Sequence, residues 1–69
     1  MKDYNDLTPM QKLVIKGINT YSDDVFNEIV NAYDYPEFWK NLKVDELSND
    51  ECVYIVGRLL SIYIDWNNK

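Results

Sequence analysis

Apolar residues recur along most of this chain at the spacing of a helix face, and short polar or proline-bearing stretches interrupt them. Met10, Leu13, Val14, Gly17, Ile18 and Tyr21 fall on one side of a helix, while Lys12, Lys16 and Asn19 fall away from it. Thr8-Pro9-Met10-Gln11 is a strong start for this segment. Thr8 is placed to cap it, Pro9 takes the first helical position, where an N–H would be unpaired anyway, and Gln11 closes a capping box. Ser22-Asp23-Asp24 opens a second segment, with Val25, Phe26, Ile29, Val30 and Tyr33 as its stripe. Ser22 follows Tyr21 directly, so the pattern predicts either a tight turn or a kink in one longer helix. Asp34-Tyr35-Pro36 breaks the period, and Pro36 opens a short third helix to Leu42 that carries Phe38, Trp39 and Leu42. Lys43 to Leu47 reads as a connector.

The last segment, from about Asn49 to Trp66, is apolar almost all round. Ser48 and Glu51 supply a capping box, and Leu47 stands where it would staple onto Cys52. Only a seam of Glu51, Tyr54, Arg58, Ser61 and Asp65 is polar. One apolar face is Cys52, Ile55, Val56, Leu59, Ile62, Tyr63 and Trp66; the other is Val53, Gly57, Leu60 and Ile64. A helix so apolar must be covered by the rest of the chain or by a second chain. The Val, Ile and Tyr content also suits two strands, Val53 to Val56 and Leu59 to Ile64, joined at Gly57-Arg58. The capping box and the spacing of the polar seam favour the helix. The expected fold is therefore all-α, a small bundle of three to four short helices around a C-terminal apolar helix. It forms one domain over residues 1–69, with 1–7 as a polar arm.

Gly57 sharpens the question of what covers the second face. Glycine inside a helix costs about 1 kcal/mol relative to alanine, so it calls for a close packing contact. Val53, Gly57, Leu60 and Ile64 are the expected self-association surface. Either the first helix reaches it, with Gly17 allowing close approach, or a second copy covers it in a two-fold dimer.

Size adds weight to association. A chain of 69 residues buries a modest share of its surface and needs a disulfide, a metal, a partner or unusually good packing. With one cysteine and no histidine, an intrachain disulfide and a zinc staple are both excluded, and no cofactor or metal is expected. The lone cysteine suits a reducing, cytoplasmic setting. No signal peptide is recognisable, and no apolar run approaches the ~18 residues of a membrane span. Eight Asn, one Ala and one Arg suggest an A+T-rich genome, such as a low-GC bacterium or its phages.

Charge narrows the class of partner. Twelve acids oppose seven bases, a net charge of −5. Five acids and no base lie between Thr20 and Trp39, and four acids and no base between Val44 and Gly57. Such a surface repels nucleic acid, attracts a basic protein and can imitate phosphate in a nucleic-acid cleft. Asp23, Asp24, Glu37, Asp50 and Glu51 also sit in first turns of predicted helices, where a carboxylate opposes the helix dipole favourably.

No catalytic pattern emerges, and an enzyme is not expected. The commonest general base, histidine, is absent, and Cys52 lies on an apolar face without a basic neighbour in sequence. Asp23/Asp24 with Glu28, Asp45/Glu46 and Asp50/Glu51 lack the loop pattern that calcium requires. Aromatic residues are a better lead, at 14% of the chain. Tyr35, Phe38 and Trp39 cluster at the Pro36 break beside Asp34 and Glu37, a composition suited to a protein interface.

The layout resembles the small acidic immunity proteins that neutralise bacterial nuclease toxins. Those are four-helix domains whose short third helix begins near a Tyr-Pro step and carries binding residues, and Asp34-Tyr35-Pro36 stands in that place here. The composition also resembles small acidic phage-encoded inhibitors of host enzymes, including anti-CRISPR and anti-restriction proteins. The expected function is non-enzymatic: binding, and inhibiting or modulating, a basic protein that handles nucleic acid, without direct nucleic-acid or membrane contact. The expected contacts are Asp34, Tyr35, Glu37 and Trp39, with Tyr54 and Asp65 from the seam. The alternative is a homodimeric structural or regulatory module.

Overall fold

Side-chain caps define the helix starts. The computed structural model describes residues 3–69; of the expected arm, Met1 and Lys2 lie outside the described residues. Thr8 Oγ1 accepts the Gln11 N–H at 3.1 Å, and Gln11 Oε1 accepts the Thr8 N–H at 3.0 Å, opening α1 over Pro9–Ile18. Ser22 caps α2, Asp23–Tyr33, through the Val25 N–H. Pro36 opens α3, Pro36–Lys40. Ser48 and Glu51 exchange two bonds, of 2.9 and 3.2 Å, at the start of α4, Asn49–Asn67. Those bonds hold the Glu51 carboxyl below its usual range. Two 3₁₀ turns, Tyr4–Asp6 and Val44–Glu46, lie in the arm and the connector. The described residues contain no strand, and α4 runs unbroken through Gly57-Arg58.

Two helices end earlier than the apolar period predicts. After Ile18, the Thr20 N–H turns back to the Gly17 carbonyl while its hydroxyl donates to the Lys16 carbonyl. The chain therefore turns between α1 and α2, and the two are separate helices. α3 ends at Lys40, where the Asn41 N–H makes the last helical bond, to Glu37, and the Leu42 N–H closes a tighter turn on Trp39.

α4 is the axis of the bundle, with α1 and α2 both laid against it. The core is Val14 from α1, Phe26, Ile29 and Val30 from α2, and Cys52, Ile55, Leu59 and Ile62 from α4. Burying each of the larger side chains contributes about 1.5–3 kcal/mol before chain entropy is counted. Leu47 also packs against this cluster, at the entry to α4. Gln11 is buried and serves twice: besides its capping bond, its Nε2 donates to the Leu47 carbonyl at 2.9 Å, tying the start of α1 to the entry of α4. Leu13, expected on the apolar face, is 45% exposed, because the buried side of α1 is centred on Gln11 and Val14.

The close approach of helices falls at Gly17. A methyl group there would stand 2.7 Å from Leu59 Cδ1, so α1 settles onto α4 through the missing side chain. The Tyr63 hydroxyl donates to the Gly17 carbonyl at 2.5 Å, and the Tyr21 ring meets Tyr63 edge-on with centroids 5.0 Å apart. Gly57 does not make the contact expected of it within this chain: a Cβ there would meet nothing within 4 Å. The reason is geometric. Cys52, Ile55, Leu59 and Ile62 occupy the side of α4 covered by α1 and α2, and Gly57 lies on the opposite side.

Candidate functional site

The corner where α2 passes into α3 is built around one arginine. The chain leaves α2 at Asp34 in extended conformation, which swings its carboxylate back towards α4. Arg58 grips it with Nε on Oδ2 at 2.7 Å and Nη2 on Oδ1 at 2.5 Å. The Tyr35 N–H donates to Oδ1 at 2.7 Å, and the Trp39 indole N–H donates to Oδ2 at 3.1 Å. The third guanidinium nitrogen donates to the Tyr54 hydroxyl at 2.9 Å. Phe38 lies under the guanidinium, 3.9 Å from ring centre to Cζ, and stacks on Trp39, whose ring meets Phe26 edge-on. The Arg58 hydrogen bonds hold the Asp34 carboxyl below its usual range, burial opposing them, and Asp34 in turn raises Arg58.

This corner sorts the expected contact residues. Asp34, with its side chain 6% exposed, holds the fold together instead of presenting charge. Trp39 is half-buried against the core. Tyr35 stands 74% exposed, Glu37 points outward beside Lys40, and Tyr54 and Asp65 are exposed. Asp34 and Tyr54 meet through Arg58 and Trp39 joins them through Asp34, while Asp65 lies roughly 16 Å farther along α4 than Tyr54 at 1.5 Å per residue. Arg58 itself, read from sequence only as part of the polar seam, is the residue that assembles the corner. No local pattern links it to Asp34; being the sole arginine of an acidic chain was the one available sign.

The second surface is the outer face of α4. Val53, Leu60 and Ile64 are 60%, 57% and 57% exposed, with Gly57 as the flat point among them. Beside this face runs a shallow groove lined by Tyr33, Val53, Tyr54, Gly57 and Ser61, with Arg58 at its edge. Tyr33 was expected to serve the core stripe of α2; it is partly exposed and walls this groove instead. Asp50 is exposed at the start of this face, whereas Asp65 is exposed on the polar seam with Tyr54, Arg58 and Ser61.

The bases are largely committed. Lys40 pairs with Glu37, Lys43 with Glu46 and Arg58 with Asp34, while Lys12 lies over the Tyr4 ring and Lys69 over Trp66. Among the described residues only Lys16 lacks such a partner. Among the described residues no cation lies against Asp23, Asp24, Glu28, Asp50 or Asp65.

The groups with nucleophilic chemistry are turned inward. Cys52 is fully buried, and burial raises its thiol, which keeps it protonated. Burial pushes the Tyr63 hydroxyl up to about 12. Among the described residues no group of three or more Cys, Asp or Glu side chains is placed to hold a metal ion, and no helix is long and apolar enough to cross a membrane. No known protein family, curated protein or solved structure matches this chain.

Proposed function

We propose that the protein is a non-enzymatic, acidic binding protein that inhibits or modulates another protein, a basic one that handles nucleic acid. The observation that carries this reading is the imbalance of free charge. Among the described residues no cation lies against the carboxylates of Asp23, Asp24, Glu28, Asp50 and Asp65, whereas all described bases except Lys16 are engaged by a carboxylate or a ring. Such a surface draws in a cationic partner and repels phosphate, so nucleic acid itself is a poor ligand and its binding clefts are good ones. The exposed Tyr35 and Tyr54 add the amphipathic rings that protein interfaces favour.

Immobilised protein in a cell lysate tests this. The expected result is stoichiometric retention of a basic protein, released as salt rises, whose activity on nucleic acid changes when the purified acidic protein is added. Retention that is indifferent to salt, or a partner whose activity is unchanged, rejects the reading. A homodimeric structural or regulatory module is the second reading, favoured by the uncovered face at Val53, Gly57, Leu60 and Ile64.

A further inference from the structure

Beyond the acidic binding reading, and independently of it, we infer that the recess between the N-terminal arm, α1 and the connector ahead of α4 is a binding site for a small, neutral, largely apolar molecule. It shares no residue with the Arg58 corner or with the outer face of α4.

The recess is an apolar compartment of its own. Tyr4 and Leu7 reach it from the arm, Ile15 from α1, and Leu42 and Val44 from the connector, around a cavity of about 570 Å³. Leu42 and Val44 also pack against the core, whereas Leu7 and Ile15 are half-buried while standing outside that cluster. Protein interiors are close-packed, and an unfilled apolar space leaves its lining without dispersion partners on one side. The volume falls within the roughly 300–1,000 Å³ of ligand clefts.

The walls are fixed by bonds of their own, so the space does not wait for a ligand to open it. In the arm, the Leu7 N–H closes on the Tyr4 carbonyl at 3.1 Å, and Lys12 Nζ of α1 lies 5.4 Å from the centre of the Tyr4 ring. In the connector, the Glu46 and Leu47 N–H groups close on the Lys43 and Val44 carbonyls at 3.0 and 3.2 Å. Gln11 then ties the connector to α1 through the Leu47 carbonyl. A preformed recess walled by three segments takes a compact molecule, whereas a partner's helix needs an open face.

Charge gives the class of ligand. Besides the Tyr4 hydroxyl, the polar side chains of the lining are Lys43, Asp45 and Glu46. Lys43 Nζ stands 3.9 Å from Glu46 Oε2, and Asp45 has a partner within the chain. Among the described residues no buried side-chain nitrogen or oxygen lacks a hydrogen bond, so no buried group calls for a charged ligand. A charged molecule entering here would lose hydration against Leu7, Ile15, Leu42 and Val44, and would meet rim charges that already answer one another. A neutral apolar one removes those side chains from water without that cost. The Tyr4 ring adds an aromatic wall, which favours a ligand with a flat ring of its own.

The test uses N-phenylnaphthylamine, an uncharged dye that brightens on leaving water, and analogues of it that carry a sulfonate or a trimethylammonium group. Binding is read by fluorescence in high salt, where the acidic surface is screened, and located by amide shifts of the isotope-labelled protein. The neutral dye is expected to bind once per chain and to shift Leu7, Ile15, Leu42 and Val44, with each charged analogue weaker by about tenfold or more. Ile15→Trp should fill the recess and weaken the neutral dye by about tenfold. Tyr4→Ala removes a wall residue that is 46% exposed and outside the core, and should weaken the dye severalfold with the fold intact. Leu60→Ser, on the outer face of α4, should leave binding unchanged. Circular dichroism checks that each variant is folded. A neutral dye that does not bind overturns the inference. So does binding that is lost in Leu60→Ser and kept in Tyr4→Ala, which would place the dye on α4. A charged analogue that binds as tightly as the neutral dye overturns it as well, and a dimer that protects the recess overturns it in favour of a second copy. Each of these outcomes leaves the lysate experiment to decide the acidic binding reading separately.

Discussion

Arg58 holds Asp34 by two parallel hydrogen bonds across 24 residues of chain, and through that grip joins the end of α2 to the middle of α4. Removing the arginine leaves a nearly buried carboxylate without its partner. Arg58→Leu is expected to destabilise the domain by about 2–4 kcal/mol, somewhat less than a wholly buried pair because the arginine is partly open to water. Asp34 is depressed in the fold, so its stabilising contribution is complete above its unfolded value and is lost as pH falls through the lower, folded one. Acid unfolding below about pH 4 should thus be sharper in the wild type than in Asp34→Asn, with chemical denaturation at several pH values as the measurement. A Tm of Arg58→Leu equal to wild type would refute the clamp.

The two glycines should respond to alanine with opposite sign. At Gly57 a methyl group enters open space, so Gly57→Ala should stabilise the free domain by about 0.5–1 kcal/mol through helix propensity alone. At Gly17 the same methyl group collides with Leu59, and the overpacking, about 1–3 kcal/mol, outweighs that gain. Urea unfolding of the two variants checks this; equal shifts would contradict the packing described.

Tyr63 supplies an alkaline limit. Its hydroxyl is pushed up to about 12 in the fold, against an ordinary tyrosine value of about 10. The unfolded chain thus loses this proton first, and the stability it contributes is full below pH ~10 and lost between there and ~12. Tyrosinate absorbance should show one late-titrating group, and Tyr63→Phe should remove it along with the hydroxyl's bond to Gly17.

Cys52 should react slowly. Its side chain is fully buried and its thiol raised by desolvation, so labelling of the native protein by a thiol reagent should proceed only at the rate of opening. Cys52→Ala should cost about 1–2 kcal/mol by leaving a small void. Labelling as fast as in denaturant would show the packing of α4 against α1 and α2 to be looser than described.

What could be read in advance was local. Caps at Thr8, Ser22 and Ser48 need only a few neighbouring residues, and they appear where their motifs stand. Cys52, Ile55, Leu59 and Ile62 are buried as the first apolar face of the last helix requires. What eluded sequence reasoning depends on distant partners. Gln11 looked like a cap and is also a tie to Leu47; Asp34 looked like a surface acid and is the anchor of Arg58. Leu13 and Tyr33 lie at the margins of their stripes, and whether a margin is covered depends on where neighbouring helices lie, which no period encodes. For the candidate site, Tyr35, Tyr54 and Asp65 are exposed, whereas Asp34 is drawn into the fold by Arg58, and Trp39 by its bond to Asp34 and its packing on Phe26.

Tyr35 gains something from the clamp that it never touches directly. Its N–H is held by Asp34 Oδ1, and the residue after it is Pro36, so its backbone is restrained on both sides while its ring projects into solvent. A protruding ring normally sits on a mobile loop, and any encounter must first bring that loop to rest. Here the immobilisation is done during folding, and contact has only two side-chain torsions left to freeze.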